Sequence, residues 1–253
     1  QICHIDSDID GIRNMKITQD YFNDLERINN MNSEGYKEDD LKFISTLHKI
    51  KYNKPVKTKP PYLNENLNHQ NIQLEYTNSQ PEICIVDNIL SKSFLDDLNI
   101  FFRCANIFKR PYPRGYVGTF LGTGMSNKPI LQFSKDLISK LPKIFNKCHL
   151  TQAWAFKYDS QQNGIGIHAD DAKINVNLWL TSDKGNLDKD SGGMIIWKKK
   201  PDKMSNFSDY NSSFNSEKML RDVSKSDFIK IPYKTNRAII FNSKLYHATD
   251  NIN

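Results

Sequence analysis

The chain has 253 residues, a formal net charge of +6 and a mean hydropathy of −0.63, which suits one large globular domain or a domain with an appendage. The sequence holds no run of eighteen apolar residues and does not begin like a signal peptide, so we predict neither a membrane span nor secretion. Four cysteines lie far apart without C-x-x-C spacing, which indicates reduced thiols in a cytoplasmic protein and argues against a disulfide framework or a zinc knuckle.

The positive charge is unevenly distributed. Residues 1 to 80 hold 10 basic and 12 acidic side chains, residues 81 to 160 hold 11 and 6, and residues 161 to 253 hold 14 and 11. This excess could steer an anionic ligand, but it is far smaller than the basic stripe of a nucleic-acid-binding protein. The charge pattern therefore argues against nucleic acid as a partner.

The first 81 residues predict a helical extension followed by a linker. Thr18 is a suitable N-cap for a helix that reaches Ile28, and a second helical pattern extends from Leu41 to His48. Residues 53–81 contain four prolines and many asparagines, which break both patterns and indicate a linker or wrapping segment. We therefore place a domain boundary here, with the principal domain at 82–253.

The next segments alternate between short strands and amphipathic helices. A strand is predicted at 83–86, a helix from Ser91 to Phe102, a second helix from Leu131 to Phe145 and a strand at 152–158. Between the helices, Pro111 to Gly124 is rich in glycine and aromatic residues, which fits either a structural loop or a substrate-binding segment near a pocket.

The stretch GIGIHADDAKINVNLWL, residues 164–180, carries the most informative pattern. Apolar and polar residues alternate from Ile174 to Leu180, as in a half-buried strand. If the extended conformation begins earlier, His168 and Asp170 share one face because side chains two apart in a strand point the same way. The neighbouring Asp171 would then point to the opposite face as a solvated or supporting residue.

A third metal ligand is predicted on a distant strand. His247 follows the apolar run from Ala238 to Phe241 and would add a second imidazole to His168 and Asp170. Two histidines and one carboxylate on one side of an ion leave positions open, as in non-heme Fe(II) oxygenases. The alternative is a hydrogen-bonded turn at His168 and Asp170, with His247 as a core histidine.

The remaining segments complete a β core. Residues 183–193 form a predicted polar loop, 194–197 a short strand, and 229–233 and 237–241 the closing strands. Residues 198–228 are a predicted insertion that either covers the site or lies on the surface. Short strands without intervening helices, after a helical half, predict a mostly β fold with flanking helices, in the α+β class.

The order of these motifs resembles the core of a 2-oxoglutarate- and Fe(II)-dependent dioxygenase. The resemblance rests on HADDAKINVNLWLTSDKGNLDKDSGGMIIW and NRAIIFNSKLYHATD, preceded by VDNILSKSFLDDL, FKRPYPRGYVGTFL and QAWAFKYDS, and it covers roughly residues 83–253. It implies a double-stranded β-helix, or jelly roll, with the N-terminal helices packed outside. It also implies Fe(II), O2 and 2-oxoglutarate, and oxidation of a substrate with release of succinate and carbon dioxide.

The same resemblance suggests roles for individual residues. A carboxylate at Asp170 implies hydroxylation, since halogenating relatives lack it. In the family, the arginine that binds the distal carboxylate of 2-oxoglutarate lies on a further strand after the distal histidine. The sequence stops before that strand, so we expect residues to be missing. Arg237 is an available substitute or a loop-anchoring residue, and Tyr158 and Asn177 are candidate hydrogen-bond donors to the co-substrate.

Two other functions remain open from the sequence. One is a non-catalytic jelly-roll module that binds a metal for recognition or sensing. The other is nucleic-acid demethylation, for which the short run Lys198–Lys200 is a weak indication. The donor set also suits zinc. The substrate could be a small molecule or a peptidyl side chain, and the sequence leaves the oligomeric state open.

Overall fold

The computed structural model describes residues 27, 30, 37–47, 56–112, 115–158, 164–186 and 188–250. The helices of these residues are α1 (Glu38–Leu47), α2 (His69–Asn78), α3 (Lys92–Cys104), α4 (Lys128–Lys140), α5 (Phe207–Asn211) and α6 (Ser216–Val223). The strands are β1 (Ile83–Val86), β2 (Arg110–Tyr112), β3 (Tyr116–Phe120), β4 (Trp154–Tyr158), β5 (Ile174–Leu178), β6 (Met194–Trp197), β7 (Phe228–Ile231), β8 (Ala238–Asn242) and β9 (His247–Thr249).

The strands form three antiparallel sheets with three strands each. Their orders are β1-β8-β5, β2-β3-β4 and β7-β6-β9. In the first, which we call the central sheet, β8 pairs with β1 and β5, so that Phe241 lies opposite both Ile83 and Asn175. Residues far apart in sequence thus meet within one sheet.

The central sheet is buried on both faces. Ala238 and Ile240 point to the face covered by helices, where they join a cluster with Phe94 and Leu98 of α3. The alternate residues Ile239 and Phe241 point to the other face, where they pack against Met194, Ile196 and Ile231 of the β7-β6-β9 sheet. Strand alternation therefore produces an outer helix-covered face and an inner face between two sheets.

Helix α3 also covers the β2-β3-β4 sheet. Its apolar side carries Phe94, Leu98 and Phe101, which repeat at helical spacing and are buried. Phe101 lies in a second cluster with Phe108 and Val117, and Ala155 of β4 packs against that cluster. Helix α3 thus covers one face of the central sheet and one face of the β2-β3-β4 sheet.

The segment predicted as a linker contains a helix that belongs to the core. Asn68 caps α2 by accepting a hydrogen bond from the backbone N–H of Asn71. Four residues before and within α2 are buried in the helix-covered cluster: Tyr62, Leu63, Ile72 and Tyr76. Of the two alternatives left open by the sequence, a wrapping segment fits this burial better than a linker, and the helix was not predicted because few of its residues are apolar.

Other differences from the sequence predictions concern where a helix begins and ends. Helix α4 begins at Lys128, before the predicted Leu131, because Asn127 accepts from the N–H of Ile130 and Pro129 occupies the first turn. It ends at Lys140, two residues before Pro142, because the residue preceding a proline avoids helical backbone. The predicted helix at Thr18–Ile28 lies outside the described residues, apart from Arg27.

The fold class of the described chain is mixed. The sheets are small and antiparallel with helices outside, which confirms the predicted α+β combination, although helical residues outnumber strand residues and the composition is not mostly β. Residues 198–228, predicted as an insertion, contain α5 and α6. None of the described helices has the length and apolar character that a membrane crossing requires.

Asn236 allows a test of how the turn before β8 stabilises this fold. It is buried with φ of 62°, and its side chain accepts from the N–H of Leu90 at 2.9 Å and donates to the carbonyl of Leu90 at 3.0 Å. We expect Asn236→Ala to lower the free energy of unfolding by about 3 kcal/mol, from two lost buried hydrogen bonds and left-handed backbone strain. Asn236→Gly, which accepts this φ, should cost about 1 kcal/mol less.

Urea denaturation measures these changes, and Asn66→Ala, at an exposed position, is the control. The control should change stability by less than about 0.5 kcal/mol. Equal effects of Asn236→Ala and Asn66→Ala would show that the turn does not stabilise the fold in this way.

Candidate metal centre

Two reciprocal backbone hydrogen bonds join the segments that carry the two histidines. The N–H of His168 donates to the carbonyl of His247 at 3.0 Å, and the N–H of His247 donates to that of His168 at 2.8 Å. This is the hydrogen-bonded pair of an antiparallel ladder, in which opposite side chains lie on one side. The two imidazoles consequently lie 4.2 Å apart between ring centres.

The segment from His168 to Asp170 is held on both sides. The N–H of Asp170 donates to the carbonyl of Ser243, in the loop between β8 and β9, at 3.0 Å. The N–H of the intervening Ala169 donates in the opposite direction, to the carbonyl of Tyr210 in α5, at 2.8 Å. This alternation places the side chains of His168 and Asp170 together, although β5 itself begins only at Ile174.

Backbone carbonyls orient both imidazole rings. Nδ1 of His168 lies 2.8 Å from the carbonyl oxygen of Gly166, and Nδ1 of His247 lies 2.8 Å from that of Leu245. Because a carbonyl oxygen only accepts, each Nδ1 carries the proton, and each Nε2 keeps its lone pair. This arrangement of a ligating histidine, with its second nitrogen bonded to a carbonyl, is typical of metal sites.

The free nitrogens converge on one carboxylate. Nε2 of His168 lies 3.9 Å from Oδ1 of Asp170, and Nε2 of His247 lies 3.5 Å from Oδ2. The three ligand atoms lie within 4.8 Å of one another and could hold a metal ion. Donor atoms that share an ion through bonds of about 2.1 Å at right angles lie about 3 Å apart, so these side chains fit such an ion after small rotations.

Two residues that sequence reasoning did not identify hold the Asp170 carboxylate, and a third, Ser243, orients one of them. Asn175 donates to Oδ2 at 2.6 Å, and Asn211 of α5 donates to Oδ1 at 3.1 Å and to the carbonyl of Ala169 at 2.7 Å. Ser243 donates to the side-chain oxygen of Asn175 at 2.9 Å, which directs the amide nitrogen of Asn175 toward Asp170. The alternation of β5 could have indicated Asn175, whereas nothing in the sequence pattern distinguishes Asn211.

Burial and neighbouring charges favour the metal-binding protonation states. Burial, together with the nearby His247 imidazole, lowers the pKa of His168 to about 4. For Asp170, burial acts to raise the pKa, but the two nearby imidazoles and the hydrogen bond from Asn175 together lower it below its ordinary value. Near neutral pH the site therefore presents a neutral His168 and an ionised carboxylate.

The predicted co-substrate residues Tyr158 and Asn177 lie on the inner side of the sheets. The Tyr158 side chain lies close to that of Thr249, which shares a face of β9 with His247. Asn177 lies opposite Ile239, whose side chain packs in the cluster between the two sheets. Both positions are compatible with a cleft beside the histidines, and co-substrate binding by either remains a prediction.

The structure does not bring Arg237 to the centre. Its guanidinium donates to Asp87 through Nε at 2.6 Å and Nη2 at 3.0 Å, while Nη1 donates to the carbonyl of Pro232. Arg237 directly precedes β8 and Ser243 directly follows it. At the rise per residue of a β-strand, these two residues lie about 20 Å apart. These contacts fit the alternative role of anchoring a loop, and co-substrate binding by Arg237 remains a prediction.

The other charged residues singled out in the sequence form ion pairs. Asp171 turns away from the histidines and pairs with Lys244, whose ammonium also lies 3.0 Å from the hydroxyl of Tyr210. In the basic run, Lys198 lies 3.9 Å from Asp227 and Lys200 lies 3.5 Å from Glu82. These pairs reduce the charge that the run presents to a nucleic acid.

Comparisons with known proteins identify a fold and no family. No family model matches the sequence, and no curated protein matches it either. A solved structure, that of the non-heme alpha-ketoglutarate-dependent carbocyclase SnoK from nogalamycin biosynthesis, is similar with a TM-score of 0.51 at 9% identity. The similarity covers 77% of this chain and 82% of that one. The chain thus shares the fold of a 2-oxoglutarate-dependent enzyme, and it holds a group of residues that could bind a metal.

The lowered pKa of His168 predicts how the stability of metal-free protein depends on pH. Between about pH 6.5 and pH 4 the unfolded chain binds more protons than the folded protein, so stability should fall as the pH decreases through this range. A shift of this size corresponds to a loss of up to about 3 kcal/mol. The low pKa of Asp170 adds a further loss below about pH 3.8.

Urea denaturation in EDTA at pH 7, 5.5 and 4.5 measures this slope. We expect His168→Gln to flatten the slope, while His149→Gln, at an exposed histidine, leaves it unchanged. Parallel profiles for wild type and His168→Gln would contradict the assignment of a buried neutral imidazole.

Proposed function

We propose that this protein is an Fe(II)- and 2-oxoglutarate-dependent dioxygenase that hydroxylates its substrate. The observation that carries the proposal is the convergence of two imidazole Nε2 atoms and one carboxylate, with both Nδ1 protons engaged by backbone carbonyls. The fold similarity to a 2-oxoglutarate-dependent enzyme supports it independently, since it does not depend on these three residues alone.

We infer that the two facing sheets are the halves of a double-stranded β-helix. The β7-β6-β9 sheet is extended beyond β9 by the bridge between His247 and His168, and the central sheet faces it across a shared apolar cluster. In this arrangement the bridge lies at the sheet edge, beside the apolar interior of the barrel. The jelly-roll core predicted from the sequence is thus part of this proposal.

His168, Asp170 and His247 would hold the metal, and its other positions would remain for ligands from solution. Bound Fe(II) would supply activation of O2 with oxidative decarboxylation of 2-oxoglutarate, which leaves succinate and carbon dioxide and one oxygen atom for the substrate. Iron and zinc accept the same donor set, so the choice of iron depends on the fold similarity.

The surrounding residues maintain the ligand geometry. The carbonyls of Gly166 and Leu245 fix the imidazole orientation, and Asn175 and Asn211 hold the two carboxylate oxygens. The ring of Phe241 lies edge-on to His247 at 5.0 Å between centres. This contact packs the His247 ring against the central sheet, whereas the His168 side chain is partly exposed.

A non-catalytic metal-binding module is the second candidate function. It is favoured by the contacts of Arg237, which the sequence offered as co-substrate anchor and which Asp87 engages instead. Within the oxygenase proposal, the choice of hydroxylation as the reaction depends on the presence of the Asp170 carboxylate. Because the similar structure belongs to a carbocyclase, other oxidations on the same scaffold are alternatives, and all of them would release succinate.

Replacement of Asp170 by Ala tests the proposal. The variant loses one of three ligands, and we expect iron affinity and succinate formation to fall together by more than the factor of about 100 that loss of a supporting contact can cost. Asp171→Ala is the matched control, because it removes the adjacent carboxylate, which pairs with Lys244. Succinate is measured after incubation with Fe(II), 2-oxoglutarate and O2, and iron binding is measured by anaerobic titration.

The control should retain both properties. Wild-type protein that binds iron but forms no succinate would favour the non-catalytic module. Asp170→Ala protein with unchanged iron affinity would refute the metal centre itself.

Asn211 should be a positioning residue for the metal ligand. Loss of its bonds to Asp170 Oδ1 and to the carbonyl of Ala169 in Asn211→Ala should weaken metal binding by about 10- to 100-fold. Asn215→Ala removes a comparable bond, to the carbonyl of Ser208, within the same insertion and away from the carboxylate. Titration with Co(II), whose absorption reports the ligand field, measures affinity and geometry together.

We expect an altered Co(II) spectrum only for Asn211→Ala. If both variants reduce affinity equally, the insertion acts through its general stability and Asn211 has no specific role.

A further inference from the structure

One face of the β2-β3-β4 sheet is almost entirely aromatic. Residues that lie opposite one another across antiparallel strands point to the same side, and this register collects six rings on one face. We call them the aromatic wall: Tyr112, Tyr116, Phe120, Trp154, Phe156 and Tyr158. The alternate residues, among them Val117 and Ala155, point to the opposite face and pack near Phe101 of α3.

The rings of the wall are in contact with one another. Tyr112 and Tyr116 are stacked, with ring centres 4.4 Å apart and planes 11° apart, and Phe156 meets Tyr116 edge to face at 5.5 Å. Gly118, in the middle strand, makes this possible, because a Cβ there would lie 2.9 Å from the ring of Phe156 and 3.1 Å from that of Tyr112. The wall nevertheless remains accessible, since Trp154 is 40% and Tyr158 is 38% exposed.

The wall faces the side of the protein on which the histidines lie. Helix α3 covers both the central sheet and the β2-β3-β4 sheet from the opposite side, so the wall and the inner face of the central sheet look the same way. The Tyr158 side chain also lies close to that of Thr249, two residues after His247 on the same face of β9. Thr249 and His247 lie about 7 Å apart along the strand, so the Tyr158 end of the wall is the end nearer the candidate centre.

A cation lies on the wall. The guanidinium of Arg110 is 5.2 Å from the ring centre of Tyr112 and 5.3 Å from that of Phe120, and the residue is exposed. A guanidinium held over aromatic rings keeps N–H donors at its edge that match a carboxylate. The wall thus offers both ring faces and a positively charged partner for an anionic group.

We propose that the aromatic wall is the substrate platform of this centre, and that the substrate is a planar aromatic acid; this assignment rests on the proposed function. Along β4 the wall extends about 13 Å, and across three strands it extends about 10 Å, which matches two or three fused rings. A flat ring system can stack on the exposed rings while its acidic group meets Arg110. A saturated molecule of the same size loses the ring contacts.

Binding of three matched probes to metal-free protein tests the assignment. 2-Naphthoate is planar and anionic, decahydro-2-naphthoate is anionic but saturated, and 2-naphthylmethanol is planar but neutral. We expect 2-naphthoate to bind about tenfold more tightly than either of the other two, because each lacks one of the two interactions. Isothermal titration calorimetry in EDTA gives the three dissociation constants without iron or 2-oxoglutarate.

Variants locate the binding on the wall. Phe156→Leu removes a ring but keeps an apolar side chain, and Arg110→Gln removes the charge at an exposed position. Phe156→Leu should reduce the preference for 2-naphthoate over its saturated analogue, and Arg110→Gln should reduce the preference over 2-naphthylmethanol. Phe214→Leu, at a ring that is 97% exposed in the insertion, is the control and should change neither. Circular dichroism and thermal unfolding verify that each variant is folded.

Equal affinity for 2-naphthoate and its saturated analogue would overturn the assignment, and so would absence of binding by all three probes. If Phe156→Leu fails to fold, the Arg110→Gln result decides, because loss of the charge preference supports the wall and its retention refutes it. Protein that binds 2-naphthoate but forms no succinate refutes the proposed function and leaves the wall as a binding surface. Protein that forms succinate but does not discriminate between the probes refutes the wall alone.

Discussion

The candidate centre depends on the backbone pairing between His168 and His247. These residues are far apart in sequence, and two reciprocal hydrogen bonds set their separation and the side on which both rings lie. Backbone bonds within an antiparallel ladder have little freedom, so the ring positions follow from the strand geometry. The side chains then require only local carbonyl contacts to select the tautomer that leaves Nε2 available.

This pairing is supported from three directions. Ser243 holds the backbone of Asp170 from the loop after β8, Tyr210 holds that of Ala169 from α5, and Phe241 contacts the ring of His247. The insertion at 198–228 is therefore part of the site and is not merely a surface excursion. Asn211 shows this most directly, because it binds the carboxylate and the adjacent backbone together.

The similarity to a 2-oxoglutarate-dependent carbocyclase at 9% identity illustrates how few identities a fold requires. Alternation in β5 and β8 and a helix with one apolar side suffice to build a central sheet that is covered on one face and open to a second sheet on the other. Function requires more specific features, since a single fold supports several oxidations. In this chain the proposed function rests on the three converging donors, and the proposed substrate platform rests on the aromatic face.

The sequence by itself determined the pattern of the strands around the centre and brought His168, Asp170 and His247 together as candidates. Alternation from Ile174 to Leu180 and an apolar run before His247 are local signals, because neighbouring residues of a strand point to its two opposite faces. The helix α2 escaped detection for the same reason, since few of its residues are apolar and its burial comes from distant partners.

Only the tertiary structure decided what each polar residue contacts. Arg237 pairs with Asp87 across 150 positions, and Asn211 reaches Asp170 across 41, and no local pattern encodes such partners. The aromatic wall likewise depends on the register of three strands, because a shift of one residue would turn its rings to the helix-covered face. Long-range pairing sets these contacts, whereas periodicity describes only one element at a time.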